Sequence, residues 1–262
     1  MNMVVCIKQV PDTTDVRIDP KTNTLVREGV AAILNPFDAY AIEEAVRIKE
    51  KMGGKVIALT MGPPQAQQVL RDAIAVGADE GILLSDKAFA GADTLATSYT
   101  LSQAILKIGK VDLILCGKQA IDGDTAQVGP GIAAFLDIPQ IVFVEKIREI
   151  TAERIVAERM TEDGYDVIES PLPALVTVMK DINQPRMPSL RGVMMSKKAQ
   201  IPVWTSADVE VDAQRIGLTG SPTWVDKVFS PPPRTGGKIF QGEAAQIVEE
   251  FVRKLQEDKI LQ

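Results

Sequence analysis

Short apolar runs alternate with amphipathic stretches along the first half of the chain, and the links between them are brief. Val4–Val10 is the first such run and predicts a strand. In Asn35-Pro36-Phe37-Asp38 a capping residue, a proline suited to the first helical position and an acid in the first turn open a helix. That helix places Ile42, Ala45, Val46 and Lys49 on one face and a Glu43–Arg47 pair on its surface. Lys55–Met61 predicts a second strand, broken by Gly62-Pro63-Pro64, and Gln65–Val76 a helix closed by Gly77. Gly81–Leu84 is a third strand, Asp93 caps a helix reaching Leu106, and Val111–Cys116 is a fourth strand. Repeated β–α units with short links imply an α/β fold: a mostly parallel sheet with helices on both faces.

After Pro139 the pattern changes. Ile141–Val144, Arg154–Met160, Tyr165–Glu169 and Leu175–Met179 read as strands with few helical residues between them, and Thr161-Glu162-Asp163-Gly164 as a hairpin connection. They predict antiparallel strands extending the same sheet. Beyond Pro202 dense periodicity is lost. Ser221-Pro222, Ser230-Pro231-Pro232-Pro233 and Gly236-Gly237 predict an extended arm, followed by a helix with one stripe of Ile247, Val248, Phe251, Val252 and Leu255. The division expected is a nucleotide-binding α/β domain over 1–200 and an arm with helix over 201–262, packing on a partner chain.

The run through residues 111–131 carries the most chemistry. A doubly buried strand ends at Gly117 and empties through Lys118-Gln119-Ala120-Ile121-Asp122-Gly123-Asp124-Thr125-Ala126-Gln127-Val128-Gly129 into a helix opened by Asp124, Thr125 or Gln127. Unpaired N–H groups and the helix dipole favour an anion there, although neither a Walker A nor a GxGxxG pattern is present. Open parallel sheets bind ligands beyond the carboxyl ends of their strands. Cys6-Ile7-Lys8, Asn35–Asp38, Met61-Gly62-Pro63 and Ala120–Gly131 converge on that edge. Asn35 and Asp38 either hydrogen-bond an adenine or ribose or simply cap their helix. Asp122 and Asp124 repel a phosphate, so they accept from ribose hydroxyls or cap, while Thr125 and Gln127 approach the phosphates. A second helix start, Ala90-Gly91-Ala92-Asp93-Thr94-Leu95-Ala96-Thr97-Ser98, offers the Thr94 and Thr97 hydroxyls to a further part of an elongated ligand.

Composition narrows the chemistry. There are no histidines among 262 residues, which removes His-based nucleophilic and general-base catalysis and most transition-metal sites. Cys6 and Cys116 each sit inside an apolar run and read as inert thiols, so no metal site is expected. Redox work would require a bound cofactor. A net charge of -6 disfavours nucleic acid as a partner. No apolar run is long enough for an integral membrane segment, and Met1 leads directly into a strand-like run, so a cytoplasmic protein is expected. In this acidic chain residues 183–198 are basic and methionine-rich. Leu190, Val193 and Met194 among Arg186, Arg191, Lys197 and Lys198 predict a docking surface for an acidic partner.

Together these segments resemble the beta (small) subunit of electron-transfer flavoproteins over nearly the whole chain. The anchors are Val5-Cys6-Ile7-Lys8-Gln9-Val10-Pro11, Asn35-Pro36-Phe37-Asp38, Glu43-Glu44-Ala45-Val46-Arg47, Gly117–Asp124 and Pro185-Arg186-Met187-Pro188-Ser189-Leu190. The resemblance implies a Rossmann-like fold close to the adenine nucleotide alpha-hydrolase sheet, with an antiparallel extension and a C-terminal arm. It also implies a heterodimer with an alpha subunit carrying a redox FAD. The beta subunit binds AMP in the conventional branch, and in the electron-bifurcating branch a second FAD that NADH reduces. The Ala90–Ser98 segment is similar to the bifurcating branch, which sends one electron to ferredoxin or flavodoxin and the other, through the alpha-subunit FAD, to an acyl-CoA dehydrogenase-type flavoenzyme. NADH oxidation then belongs to the complex, with this chain a carrier subunit and no catalytic residue of its own. Carried over by position, the cofactor contacts are Cys6 (backbone), Asn35, Asp38, Met61 and Ala120, Asp122, Gly123, Asp124, Thr125, Ala126, Gln127, Val128 and Gly129, with Thr94 and Thr97 at the flavin end. The family's partner-recognition loop maps to Leu190, Arg191, Val193 and Met194. Where some members carry a modified lysine after that leucine, this chain has Met194-Met195-Ser196, so control by lysine methylation is not expected. Two other classes fit the same sheet. An ATP-using hydrolase would need a glycine–serine phosphate loop where Lys8-Gln9-Val10-Pro11 stands, and a nucleotide sensor would bind without a flavin or an obligate partner.

Overall fold

The computed structural model describes residues 1–12, 31–226 and 236–261. Nine strands form one sheet in the order β11-β5-β4-β1-β6-β10-β7-β8-β9. They are β1 (Asn2–Cys6), β4 (Lys55–Met61), β5 (Glu80–Leu84), β6 (Leu113–Gly117), β7 (Gln140–Ile150), β8 (Arg154–Met160), β9 (Tyr165–Pro171), β10 (Ala174–Val178) and β11 (Val203–Trp204). A separate antiparallel pair, β2 (Gln9–Pro11) and β3 (Ala32–Leu34), lies beside it. The strand expected over Val4–Val10 is therefore two elements. Lys8 lies between them, with its backbone carbonyl accepting from the Asn35 N–H at 2.9 Å.

Alternation along β1 explains the layers. Met3 and Val5 face α1 (Pro36–Met52) and α2 (Gln67–Val76), whereas Val4 and Cys6 face α3 (Thr94–Ile108) and α4 (Val128–Leu136). The predicted α1 stripe is buried at Ile42, Ala45 and Val46, and Gly77 closes α2 as expected. Asp93 caps α3 by accepting from the N–H groups of Leu95 (2.9 Å) and Ala96 (3.0 Å).

Three expectations need correction. Leu175–Met179 does not join an antiparallel extension: β10 lies between β6 and β7 and is parallel to both. All its residues are buried, as suits an interior strand covered on both faces. Only β7, β8 and β9 form the antiparallel meander, with the expected turn closed from the Thr161 N–H to the Gly164 carbonyl. Second, Glu43 is not a surface residue. It is 2% exposed, held by Arg47 at 2.7 Å and by Arg186 at 2.8 Å. Third, the chain does not leave the sheet at Pro202. β11 pairs in parallel with the outer edge of β5, and the segment after it lies over α3, burying Val209 and Ile216. Asp86 accepts from the Ser206 N–H (2.9 Å) and hydroxyl (2.7 Å). Arg215 stacks over the Tyr99 ring at 4.1 Å, and the Tyr99 hydroxyl accepts from the Asp212 N–H. The proline run 231–233 lies outside the described residues.

The remaining helices are α5 (Leu190–Lys198), packed on α2, and α6 (Ala244–Glu257), in which no residue is buried. Among the described residues no helix is long and apolar enough to cross a membrane.

Candidate functional site

Strand order places the site. Successive strands run outward from β1 through β4 to β5, and the chain then returns to lay β6 on the other side of β1. The crevice between the carboxyl ends of β1 and β6 is thus the topological switch point. Cys6 and Cys116 are register partners there. Both are buried, and contact with the Cys6 thiol, together with burial, pushes the Cys116 thiol well above its ordinary range. At neutral pH Cys116 therefore stays a thiol and is no nucleophile.

Asp38 enters this crevice from the first turn of α1. It is 5% exposed, and its Oδ2 accepts from the Lys8 N–H at 2.7 Å. Burial pushes its carboxyl up to about 7, against hydrogen bonds from Asn35 and from the Lys8 and Gly117 backbones. Such a group pins the exits of β1 and β6 from beneath. Asn35, also buried, makes no capping bond with its side chain. Its Nδ2 instead donates to the Gln119 carbonyl at 2.9 Å, while its Oδ1 accepts from the Ile121 N–H at 3.1 Å. Asn35 thus holds the N-cap position of α1 as expected, but its side chain does not cap: it holds the loop after β6.

That loop is preformed. Lys8 Nζ pairs with both oxygens of Asp122, at 2.7 and 2.8 Å, and Gln119 donates to Asp124. Asp124 and Ala126 both adopt φ of 54°, left-handed backbone that a helix excludes. The helix accordingly opens later than expected from Asp124 or Thr125, with Gln127 in the cap position and no side-chain cap bond. Its first internal bond runs from the Gly131 N–H to the Gln127 carbonyl at 2.9 Å. The N–H groups of Val128 and Gly129 therefore have no intrahelical acceptor. Left-handed Ala126 just before right-handed Gln127 turns successive N–H groups toward one side, a backbone form that suits an anion.

The second helix start lies beside the first. Thr94 Oγ1 donates to Gln127 Oε1 at 2.9 Å, and Ser98 Oγ bonds the Thr94 carbonyl (2.6 Å) and the Val128 carbonyl (3.2 Å). Close approach is possible because residue 131 is glycine: a Cβ there would collide with Ser98. Thr97 is half-buried one turn further along, and Met61 is half-buried at the end of β4. Asp93 is fixed from outside by the C-terminal segment. Its Oδ2 accepts from the Thr223 N–H (3.1 Å) and hydroxyl (2.8 Å), and its own N–H donates to Ser221 (2.8 Å). Burial raises the Asp93 carboxyl, but these bonds and those from α3 hold it below the usual range.

Of the sequence-predicted residues, Asn35, Asp38, Asp122, Asp124, Gln127 and Thr94 belong to one hydrogen-bonded rim, with Cys6, Ala120, Gly123, Thr125, Ala126, Val128 and Gly129 on its backbone. Leu190, Arg191, Val193 and Met194 lie elsewhere, on α5 over the layer of α1 and α2. Sequence reasoning missed the bracing by Lys8, Gln119, Ser98 and Thr223. A lysine directly after a buried strand and opposite two aspartates was the one readable signal. Among the described residues no group of side chains is arranged to hold a metal ion.

The chain matches known proteins along most of its length. The family model described as electron transfer flavoprotein domain matches residues 22–209. The chain is 52% identical over 256 residues to the electron transfer flavoprotein subunit beta of Thermoanaerobacterium thermosaccharolyticum, covering 97% of this chain and 98% of the relative. It is 50% identical over 263 residues to the caffeyl-CoA reductase-Etf complex subunit CarD of Acetobacterium woodii, covering all of both chains. It is also 49% identical over 241 residues to protein FixA of Azotobacter vinelandii, covering 90% of this chain and 86% of that one. These matches over nearly the whole length of a mostly parallel α/β sheet identify the chain as a member of the electron-transfer flavoprotein family, on the side of its beta subunits.

Proposed function

We propose that this chain is the beta subunit of a heterodimeric electron-transfer flavoprotein of the bifurcating kind, and that it holds FAD along the rim from Asn35 to Thr97. The observation that carries this reading is the hydrogen bond from Thr94 to Gln127, which sets the N-termini of α3 and α4 side by side. The uncapped start of α4 presents about half a positive charge, whereas Asp93 already accepts from the first N–H groups of α3, which therefore contributes side-chain hydroxyls instead. An open start with the Thr94 and Thr97 hydroxyls beside it suits a phosphate with more of the ligand running on past it, and so a dinucleotide better than AMP. The charges nearby fit as well: Lys8 neutralises Asp122, and Asp124 is turned to Gln119 rather than left bare against a phosphate.

In this reading the backbone N–H groups of Val128 and Gly129 and the Thr125 hydroxyl receive the phosphates. Asn35 and Asp38 hold the loop and the strand exits in place, while the Cys6 backbone and Met61 line the adenosine side. Thr94 and Thr97 meet the flavin end. When bound, the flavin supplies the redox chemistry, taking a hydride from NADH and passing electrons singly to ferredoxin or flavodoxin and, through an alpha-subunit FAD, to an acyl-CoA dehydrogenase-type flavoenzyme. No side chain of this subunit need act as acid or base. The similarity to a subunit of a caffeyl-CoA reductase-Etf complex supports an acceptor of that chemical class. We further propose that the unburied stripe of α6 packs on the alpha subunit, that α5 docks the acceptor through Leu190, Arg191, Val193 and Met194, and that the complex works in the cytoplasm.

Counting cofactors on the purified heterodimer tests this. Two FAD per dimer are expected; one FAD with one AMP would reject bifurcation and leave a conventional carrier.

A further inference from the structure

The docking segment begins with an arginine that is not available to a partner. Arg186 donates from Nε to Glu43 Oε2 (2.8 Å), from Nη2 to Glu43 Oε1 (3.1 Å) and Glu50 Oε2 (2.9 Å), and from Nη1 to Glu50 Oε1 (2.5 Å). Its backbone N–H also reaches Glu43, at 3.2 Å. Each of its side-chain nitrogens is thus committed to α1. Glu43 is buried and keeps a second cation, Arg47, on Oε1, so removing Arg186 leaves the carboxylate paired but takes the side-chain partner from Oε2. Three residues upstream, Asn183 Nδ2 donates to the Tyr40 carbonyl and to Glu44, both at 3.0 Å.

Downstream, Leu190 and Met187 are 80% and 87% exposed, so packing against the rest of the chain does not set where they stand. Their placement is inherited from backbone fixed on either side. At the C-terminal end of α5, Arg71 donates to the carbonyls of Ser196 (2.6 Å) and Ala199 (3.2 Å). Within it, residue 192 presses so close to the Ala75 carbonyl that only glycine fits.

We propose that Arg186 is a positioning residue for partner docking: by clamping residues 183–187 to α1, it presents the apolar tip at Leu190 in a preordered geometry. This rests on the reading of α5 as the docking element. A preordered loop binds more tightly because less conformational freedom is lost on association. The fork geometry matters, since a lysine cannot engage Glu43 and Glu50 in the same bidentate way.

The test uses the complete heterodimer as substrate for an acyl-CoA dehydrogenase-type partner, with variants Arg186→Met, Arg186→Lys and Leu190→Ala. Arg186→Met is expected to raise the apparent KM about tenfold with kcat within about twofold and flavin content unchanged. Arg186→Lys should fall between it and the wild type, and amide exchange across 187–198 should speed up. An unchanged KM alongside faster exchange overturns the proposal, as does a parallel fall in kcat. If Arg186→Met loses flavin or fails to fold, Arg186→Lys decides on the same criteria. Leu190→Ala separates the two layers of argument. A raised KM there with silent Arg186 variants sinks the clamp alone, whereas a silent Leu190→Ala sinks the docking reading and the clamp with it.

Discussion

At the scale of single residues, Asp38 is the group whose chemistry most depends on burial. Its unfolded-state value is 3.8 and its folded value about 7, so the folded chain holds this proton more tightly. The associated stability is fully present below pH 3.8 and is lost as pH rises through about 7. Asp38→Asn removes that titration. The thermal midpoint of the apo-protein should then decline less between pH 5 and 8 than in the wild type, by on the order of 5 °C. An identical pH dependence in both proteins would show that Asp38 is ionised without cost. Residue roles were partly legible beforehand. The motif Asn35-Pro36-Phe37-Asp38 announced both a helix start and a ligand edge. Sequence could not show that Asn35 spends its amide on the Gln119 and Ile121 backbone rather than on its own helix. That choice depends on a loop 84 residues away in the chain. Glu43 misled for a related reason: the i,i+4 spacing to Arg47 is real, but the segment bearing Arg186 covers it.

At the scale of elements, the site is a matter of how closely two helices approach. Gly131 lets α4 rest against Ser98 of α3, and that contact keeps both helix starts on one rim. Gly131→Ala should force the helices apart, costing about 1–3 kcal/mol in urea unfolding. Nucleotide affinity should fall with it, because the Thr94–Gln127 bond spans the same gap. Unaltered stability and affinity would mean the helices adjust freely. Strands and helices of the first half were legible because short apolar runs, caps and glycines agreed with one another: Lys55–Met61 and Arg154–Met160 stand as read. β10 was misplaced because an apolar run records burial on two faces but not which neighbours provide it. Its partners β6 and β7 are set by topology, which no local pattern encodes.

At the scale of the whole molecule, the C-terminal region divides by what it touches. Residues 203–223 are bonded to the domain through β11, Asp86, Tyr99 and Asp93, whereas every residue of α6 remains unburied. A chain ending at residue 226 should therefore unfold at the same temperature as the full subunit, yet fail to form the heterodimer in size-exclusion chromatography. Loss of thermal stability in that truncation would place α6 on its own domain instead. The apolar stripe of α6 was readable from spacing alone. The anchoring of residues 203–223 was not, since single hydroxyl and backbone contacts leave no periodic trace.

The position of β10 also bears on how the molecule is made. A growing chain that has reached residue 171 owns a finished meander and a finished β–α half, but the strand that joins them has yet to emerge. Until residues 174–178 slide in, β6 and β7 each face water with a raw row of amides and carbonyls, the kind of border that recruits foreign strands. Stalled or prematurely terminated products of this length are the ones a cell would have to shield or destroy, and β11, sealing the far border at β5, arrives later still.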